Sequence, residues 1–194
     1  SAQIPAKLEN FDINDVHLTE GPFKHAQDMD LRYILAMDPD RLLAPYLKEA
    51  GLQPKADNYT NWENTGLDGH VGGHYLSALS YMYASTGNQE IKERLDYYIS
   101  ELKRCVDAEG YLSGVPHGRQ IWKEISEGNI RAASFGLNDR WVPLYNIHKI
   151  YAGLRDAYLI TGNKDALKMF LDLTEWMYNL TEGLTEEQLQ DMPR

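Results

Sequence analysis

The fold is decided by HYLSALSYMYASTGN, residues 74–88, together with KIYAGLRDAYLITGN, residues 149–163. Both stretches are apolar or small around most of a helical circumference. This pattern predicts helices over residues 74–85 and 147–160 that are buried on every side. Both stretches end in the same turn tripeptide, Thr-Gly-Asn. Because they share one offset of 75 residues, from residue 74 to residue 149, they indicate an internal repeat.

A helix with one polar face follows each buried helix. Residues 91–106 carry one apolar stripe, at Ile91, Leu95, Tyr98, Ile99, Leu102 and Val106. Residues 164–180 carry a polar stripe, at Asp165, Lys168, Asp172, Glu175 and Asn179. The sequence therefore predicts an all-α fold of repeated inner and outer helix hairpins. Residues 23–37 and 41–50 predict two earlier helices, and the one strand pattern is a short one at residues 110–112.

Inner and outer helices of this kind build either an open α-solenoid or a closed toroid whose inner helices line a pocket. The period of 75 residues exceeds the roughly 34 to 47 residues of common helical solenoids. The excess lies in loops at residues 52–73 and 110–141, which lead into the N-terminal ends of the inner helices. Long loops at that place are typical of an active site, which favours the toroid.

The composition limits the classes of partner. The chain has 194 residues, 19 basic against 29 acidic, with a net charge of −10. This balance argues against nucleic acid and anionic membranes, and no apolar run approaches the roughly 18 residues of a spanning helix. The 13 tyrosines and 4 tryptophans favour rings with a polar handle, which both sugar-binding clefts and ordinary cores use. The single cysteine excludes an intramolecular disulfide and a thiolate metal site made by this chain alone.

The densest group of chemically active residue types is WENTGLDGHVGGH, residues 62–74, directly before the first buried helix. Its members with such side chains are Trp62, Glu63, Asp68, His70 and His74. Each carboxylate has two interpretations. It is either a turn residue or helix cap, or it accepts sugar hydroxyls or serves as a general acid or base. A hydrolase needs two carboxylates that face each other across the scissile bond, and sequence alone does not supply that separation.

His70 and His74 are four residues apart and would share one face of a helix as metal ligands. Gly72 and Gly73 argue against a helix there, and the glutamate of the zinc-peptidase pattern does not follow His70, so we predict no metal site. At the first turn of the next helix, His74 is expected to be neutral, because a helix N-terminus disfavours the cation. It is then either a hydrogen-bonding partner for a sugar hydroxyl or a satisfied core histidine.

The second repeat has similar residue types at the equivalent place. Pro143 predicts the first helical turn, which leaves Trp141, Tyr145 and His148 near the pocket-facing end of the second inner helix. For Trp141 and Tyr145, a core position is the alternative to sugar contact. The chain has no G-x-S-x-G elbow and no phosphate loop. Cys105 adjoins the apolar stripe of an outer helix, which predicts a buried, inert thiol.

At these residues the chain resembles the bacterial β-L-arabinofuranosidase-like glycoside hydrolases, formerly a domain of unknown function. The resemblance is carried, in chain order, by Val16-His17-Leu18, Gly21-Pro22-Phe23, Leu35, Asp38-Pro39-Asp40-Arg41-Leu42-Leu43, Ala50-Gly51-Leu52, Trp62-Glu63, Gly69-His70, Gly73-His74-Tyr75-Leu76-Ser77-Ala78-Leu79, Gly110-Tyr111-Leu112, Trp141-Val142-Pro143, His148-Lys149-Ile150, Gly153-Leu154 and Ala157-Tyr158. It covers nearly the whole chain and is specific.

The resemblance implies an (α/α)6 barrel catalytic domain, usually followed by β-sandwich domains. Such enzymes remove L-arabinofuranose from plant glycans or glycoproteins with retention of configuration. They use a cysteine nucleophile near a zinc ion held by three cysteines and one glutamate, and a separate glutamate as acid/base. A lone Cys105 departs from that pattern. We therefore expect the catalytic residues and zinc ligands beyond Arg194, and residues 1–194 to be the N-terminal portion of one catalytic domain, with about four of twelve barrel helices.

What carries over is the wall of the substrate pocket. By position, His148 matches a region that hydrogen-bonds the sugar, and the pocket-facing loop carries the first-repeat residues. The expected substrate-binding set is Trp62, Glu63, His70, His74, Trp141, Tyr145 and His148. No catalytic and no metal-binding residue is expected within this chain.

The expected partners are a carbohydrate substrate and the remainder of the catalytic domain. The segment is expected to be inactive alone and to self-associate through exposed flanks of its inner helices. The alternative function is a non-catalytic helical carbohydrate-binding or scaffold module. Ser1-Ala2-Gln3, without an initiator methionine, is either a cloning remnant or the stretch after a removed signal peptide. Export is therefore expected, with a cytoplasmic location left open.

Overall fold

The structure, a computed structural model, describes residues 9–192 and contains eight α-helices in that range. They are α1 Pro22–Ala36, α2 Pro39–Glu49, α3 His70–Thr86, α4 Gln89–Cys105, α5 Gly118–Ser126, α6 Pro143–Thr161, α7 Lys164–Thr181 and α8 Glu186–Asp191. Short 3-10 helices at Ile13–Asp15 and Asn61–Asn64 precede α1 and α3. The predicted all-α fold is confirmed. Ser1-Ala2-Gln3, on which the expectation of export rests, lies outside the described residues.

The Thr-Gly-Asn tripeptide makes the same turn in both repeats. Gly87 and Gly162 have left-handed φ angles of 63° and 71°, and their N–H groups donate to the carbonyl four residues back at 2.7 and 2.8 Å. Asn88 and Asn163 then cap α4 and α7, because their side-chain oxygens accept backbone N–H groups at 3.0 and 2.9 Å. The turn therefore ends each inner helix and starts each outer helix.

The inner helices α3 and α6 meet at glycines. A Cβ added at Gly73 would lie 2.2 Å from the carbonyl carbon of Lys149. A Cβ added at Gly153 would lie 2.7 Å from the carbonyl oxygen of Gly73 and 3.1 Å from the Cβ of Leu76. Since real Cβ atoms do not come this close to backbone, the spacing of the two helices requires glycine at both positions.

The remaining helices pack in two layers around this contact. The outer helices α4 and α7 lie against α3 and α6 and touch each other, and α1 and α2 extend the arrangement because α1 packs on α3 and α2 on α4. Two inner and outer pairs, α3 with α4 and α6 with α7, thus match the two predicted hairpin repeats, and α1 and α2 pack beside the first pair. None of the described helices is long and apolar enough to cross a membrane.

Two expectations about the long loops are wrong. The first loop ends at Gly69, because α3 begins at His70 rather than His74. The second loop contains α5, which buries Ile121, Trp122 and Ile125 in the core. It also contains three antiparallel strands, β1 Ala132–Ala133, β2 Gly136–Leu137 and β3 Arg140–Trp141.

Two further predictions are wrong, the strand at residues 110–112 and the complete burial of the inner helices. Residues 110–112 form no strand, and Gly110, with φ 88°, instead packs so close to α7 that an added Cβ would be 2.5 Å from the carbonyl oxygen of Asp172. The inner helices are not buried on every side. Tyr81 of α3 is 46% exposed and Leu159 of α6 is 58% exposed. Each inner helix has one face that no described helix covers fully.

We expect Gly73→Ala to lower the free energy of unfolding by about 3 kcal/mol, because its methyl group would force α3 and α6 apart. Chemical denaturation followed by circular dichroism measures this loss. Gly183→Ala is the matched control, since nothing lies within 4 Å of an added Cβ there. A Gly73→Ala protein as stable as the control would contradict the close contact.

Candidate functional site

Three aromatic or imidazole side chains, from the first loop and the two inner helices, surround the imidazole of His70. The ring centroid of His70 lies 6.3 Å from that of Trp62, 6.4 Å from that of His74 and 6.2 Å from that of Tyr145. We call His70 and these three neighbours the histidine cluster. Trp62 is 64% exposed and Tyr145 is 41% exposed, so the rings present open faces to solvent. The core alternatives for Tyr145 and His74 therefore do not apply, because both side chains are exposed.

Glu63 supports the cluster from below. Its side chain is buried, and its two oxygens accept the backbone N–H groups of Gly69 and Val71, both at 3.0 Å. Its Oε1 also lies 2.6 Å from Nδ1 of His70. Gly69, the N-cap residue of α3, has no capping side chain, so the Glu63 carboxylate takes over that role at the positive end of the helix. This is the helix-cap interpretation that the sequence left open.

The two histidines of α3 differ electrostatically. Burial lowers the pKa of His70, but hydrogen bonds to the Glu63 carboxylate and the Leu67 carbonyl outweigh it and raise this pKa above its ordinary value. For His74, partial burial lowers the pKa, and electrostatic interactions with Lys149, His70 and His148 lower it further. The lowered pKa favours the neutral form of His74, and its main cause is burial rather than the helix N-terminus, since His74 lies in the second turn of α3 rather than the first.

Two buried amides, which the sequence did not single out, fix the loop. Asn58 donates to the Glu63 carbonyl at 2.8 Å and to the Asp68 carboxylate at 2.9 Å. Asn146, in the first turn of α6, donates to the carbonyl oxygens of Leu67 and Asp68 at 3.2 and 2.7 Å. The one sequence signal for this link between the two repeats was an asparagine among the apolar residues of α6, and the structure buries it fully.

The remaining predicted residues flank the cluster. Trp141, 39% exposed and hence not a core residue, packs over Gly66, where an added Cβ would lie 3.9 Å from the Trp141 Cβ. His148 lies one turn after Tyr145 on α6 and is exposed. Lys149, not predicted, places its Nζ 4.4 Å from the Tyr145 ring centroid, a cation–π contact. The structure therefore brings all seven predicted residues to the N-terminal ends of α3 and α6.

The cluster does not fit a zinc ion. His70 and His74 do share a helix, contrary to the expectation from Gly72 and Gly73, because those glycines provide close packing rather than a break. Within residues 9–192, however, no group of three or more histidine, cysteine or acidic side chains could hold a metal ion. Burial raises the pKa of Cys105 to about 12, which disfavours the thiolate that zinc requires.

Comparison with known proteins assigns the chain to a family. The family model described as "Beta-L-arabinofuranosidase, GH127 catalytic domain" matches residues 15–194. The chain belongs to this family. It is thus a GH127 β-L-arabinofuranosidase-like glycoside hydrolase domain. No curated protein matches the chain.

A solved structure supports the same fold. The chain is similar to the crystal structure of a GH127 β-L-arabinofuranosidase from Geobacillus stearothermophilus T6, with 16% sequence identity and a TM-score of 0.52. The similarity covers 80% of this chain and 22% of that chain. The chain therefore spans less than a quarter of the length of this structural neighbour.

We expect Glu63→Gln to lower the pKa of His70 below its ordinary value, because burial remains while the charged partner is lost. Histidine NMR titration measures this pKa, and Glu127→Gln, an exposed change at the end of α5, is the control. An unchanged His70 pKa in Glu63→Gln would contradict the pairing.

The same pair makes stability depend on pH. Because the folded pKa of His70 is raised, its pairing with Glu63 stabilises fully below the pKa of an unfolded histidine, about 6.5, and this contribution is lost as the pH rises through the folded pKa. The stability difference between wild type and Glu63→Gln should therefore narrow as the pH rises.

Proposed function

We propose that this GH127 domain segment forms one wall of the sugar-binding pocket of a retaining β-L-arabinofuranosidase that acts on arabinofuranose-containing plant glycans or glycoproteins. The observation that carries the proposal is the histidine cluster, open to solvent at the N-terminal ends of two neighbouring inner helices. Sites for uncharged sugars combine aromatic faces with a few fixed polar groups, and this cluster has both.

Each member of the wall has a distinct role in the proposal. Trp62 and Tyr145 stack on the apolar faces of the sugar, and Trp141 extends this aromatic surface. Neutral His74 exchanges hydrogen bonds with a hydroxyl, and His148 does so from α6. Glu63 does not touch the sugar, because its oxygens are occupied by the backbone and His70, so it is a positioning residue.

The chemical step needs groups from outside this wall. Glu63 and Asp68 both use their carboxylate oxygens within the loop, and the Asp68 oxygens accept from Gly66 and Asn58 at 2.9 Å each. Buried Cys105 lies in α4 and is a poor nucleophile at its raised pKa. We therefore propose that the segment is inactive alone, and that the remainder of the catalytic domain supplies the nucleophile, the acid/base and the zinc ligands.

Exposed apolar side chains on α1, α6 and α7 offer surfaces on which the remainder of the catalytic domain can pack. On α1, Phe23 is 77% exposed and Tyr33 is 68% exposed, next to a groove of about 750 Å3 between α1 and α3. At the other end of the arrangement, Leu159 of α6 and Leu171 of α7 are more than half exposed. Inner helices would continue from both ends, so we propose that further helices cover these faces and close the toroid.

We expect the 194-residue chain to bind methyl β-L-arabinofuranoside weakly and to release no product from an aryl β-L-arabinofuranoside, with or without added zinc. Trp62→Ala should weaken binding about three- to tenfold in NMR or calorimetric titration, because an aromatic stacking face is lost. Tyr178→Ala, which removes an exposed ring of α7, is the matched control.

The outcomes separate the alternatives. Turnover by this chain would contradict the proposal that the rest of the domain supplies the catalytic groups. Sugar binding that is as tight in Trp62→Ala as in the wild type would contradict the proposed binding site. If the coding sequence around these residues holds no glutamate and cysteine cluster, the non-catalytic carbohydrate-binding or scaffold module becomes the better description.

We also expect the isolated chain to self-associate, because exposed apolar faces at α1 and α6 lack cover from described residues. Sedimentation velocity at increasing concentration measures this association, and Phe23→Ser together with Leu159→Ser should reduce it. A monodisperse monomer that binds no apolar dye would contradict the expectation.

A further inference from the structure

A small β-ribbon leads directly into the second inner helix. Strands β1, β2 and β3 pair antiparallel in chain order, with Ala133 opposite Gly136 and Leu137 opposite Arg140. Each connection is therefore a turn of two residues. The tip between β1 and β2 carries Phe135, whose ring is 75% exposed. The ribbon ends at Trp141, a member of the predicted binding set.

The ribbon keeps a large side chain where glycine would be more favourable. Phe135 has a φ angle of 58°, a left-handed conformation that is unfavourable for a bulky residue. Val142, the N-cap of α6, is left-handed too, with φ 36°, and its N–H donates to the Phe135 carbonyl at 3.2 Å. Strain of this kind persists where the surrounding structure fixes it, and it collects at functional sites.

Buried hydrogen bonds fix the ribbon. The side chain of Asn138 is buried and donates to Glu124 and to the carbonyl of Asn129 at 3.0 and 2.8 Å, while its oxygen accepts the N–H of Arg131 at 2.9 Å. Arg131 also pairs with Glu124 and Asp139 at 3.0 Å each. The exposed ring of the tip is thus held on a rigid base.

The ribbon and the histidine cluster share one residue. A cavity of about 400 Å3 beside the ribbon is lined mainly by apolar side chains, among them Phe135, Leu137, Val142, Leu144 and Tyr145. Tyr145 lines this cavity and also belongs to the histidine cluster, 6.2 Å from His70. The histidine cluster and the cavity therefore adjoin each other at Tyr145.

We propose that Phe135 is a specificity-determining residue that stacks on the sugar unit to which the arabinofuranose is attached. The proposal rests on the proposed function, because it assigns the terminal sugar to the histidine cluster. The cavity volume is in the range of small-ligand sites, and an exposed aromatic ring suits the apolar face of a neutral sugar. Core packing does not explain why a phenylalanine occupies position 135, since three quarters of its surface is exposed.

The test compares two probes, methyl β-L-arabinofuranoside and a β-L-arabinofuranosyl disaccharide, by calorimetric or NMR titration of the whole chain. We expect Phe135→Ala to weaken disaccharide binding about three- to tenfold and to leave the methyl glycoside unchanged. Trp62→Ala should weaken both. Phe11→Ala, which removes a ring that is 86% exposed and does not line the cavity, is the matched control.

A second variant separates binding from folding. Phe135→Gly should preserve or raise the melting temperature, because glycine relieves the left-handed strain, and should still lose the preference for the disaccharide. If the disaccharide binds Phe135→Ala as tightly as wild type while the methyl glycoside binds normally, this inference is overturned and the proposed function stands. If neither probe binds the wild-type chain, the proposed function fails and the inference falls with it.

Discussion

The close contact of α3 with α6 at Gly73 and Gly153 is the constraint on which the other features depend. It holds two backbones at a distance that no side chain would permit. The neighbouring Gly72 does the same on another side of α3, where an added Cβ would lie 2.6 Å from the Tyr98 hydroxyl. Because successive helical residues point about 100° apart, the glycine pair lets α3 pack closely on both an inner and an outer neighbour. The N-terminal ends of α3 and α6 then lie side by side, which brings Tyr145 to His70.

The helices were predictable because their signals are local. Apolar periodicity and the repeated Thr-Gly-Asn turn identify both pairs, and the helix bounds in the structure differ by only a few residues. The start of α3 was missed because glycine disfavours a helix by propensity, whereas here the gain comes from contacts with Lys149 and Tyr98, distant in sequence. Helix α5 was missed because its apolar residues span only a little more than one turn inside a segment rich in turn residues.

The candidate site was predictable in its residue types but not in its connections. Aromatic rings and imidazoles ahead of both inner helices were visible in sequence, and the structure brings them together. The support beneath them was not visible. Asn146 bonds to carbonyls 78 and 79 residues earlier in the chain, and Glu63 reaches the start of α3 only because a 3-10 turn carries it there. Both depend on tertiary geometry that no local pattern encodes.

The use of the carboxylates distinguishes the proposed binding wall from a catalytic centre. A general acid or nucleophile needs an oxygen that is free to face the substrate. The carboxylate oxygens of Glu63 and Asp68 instead accept hydrogen bonds from backbone and amide N–H groups. These bonds fix the loop, while the aromatic rings beside it stay exposed. Rigid aromatic and imidazole groups can hold a neutral sugar in one orientation, but they cannot by themselves cleave a glycosidic bond. We therefore propose that the hydrolase chemistry comes from groups that face this wall from other parts of the domain.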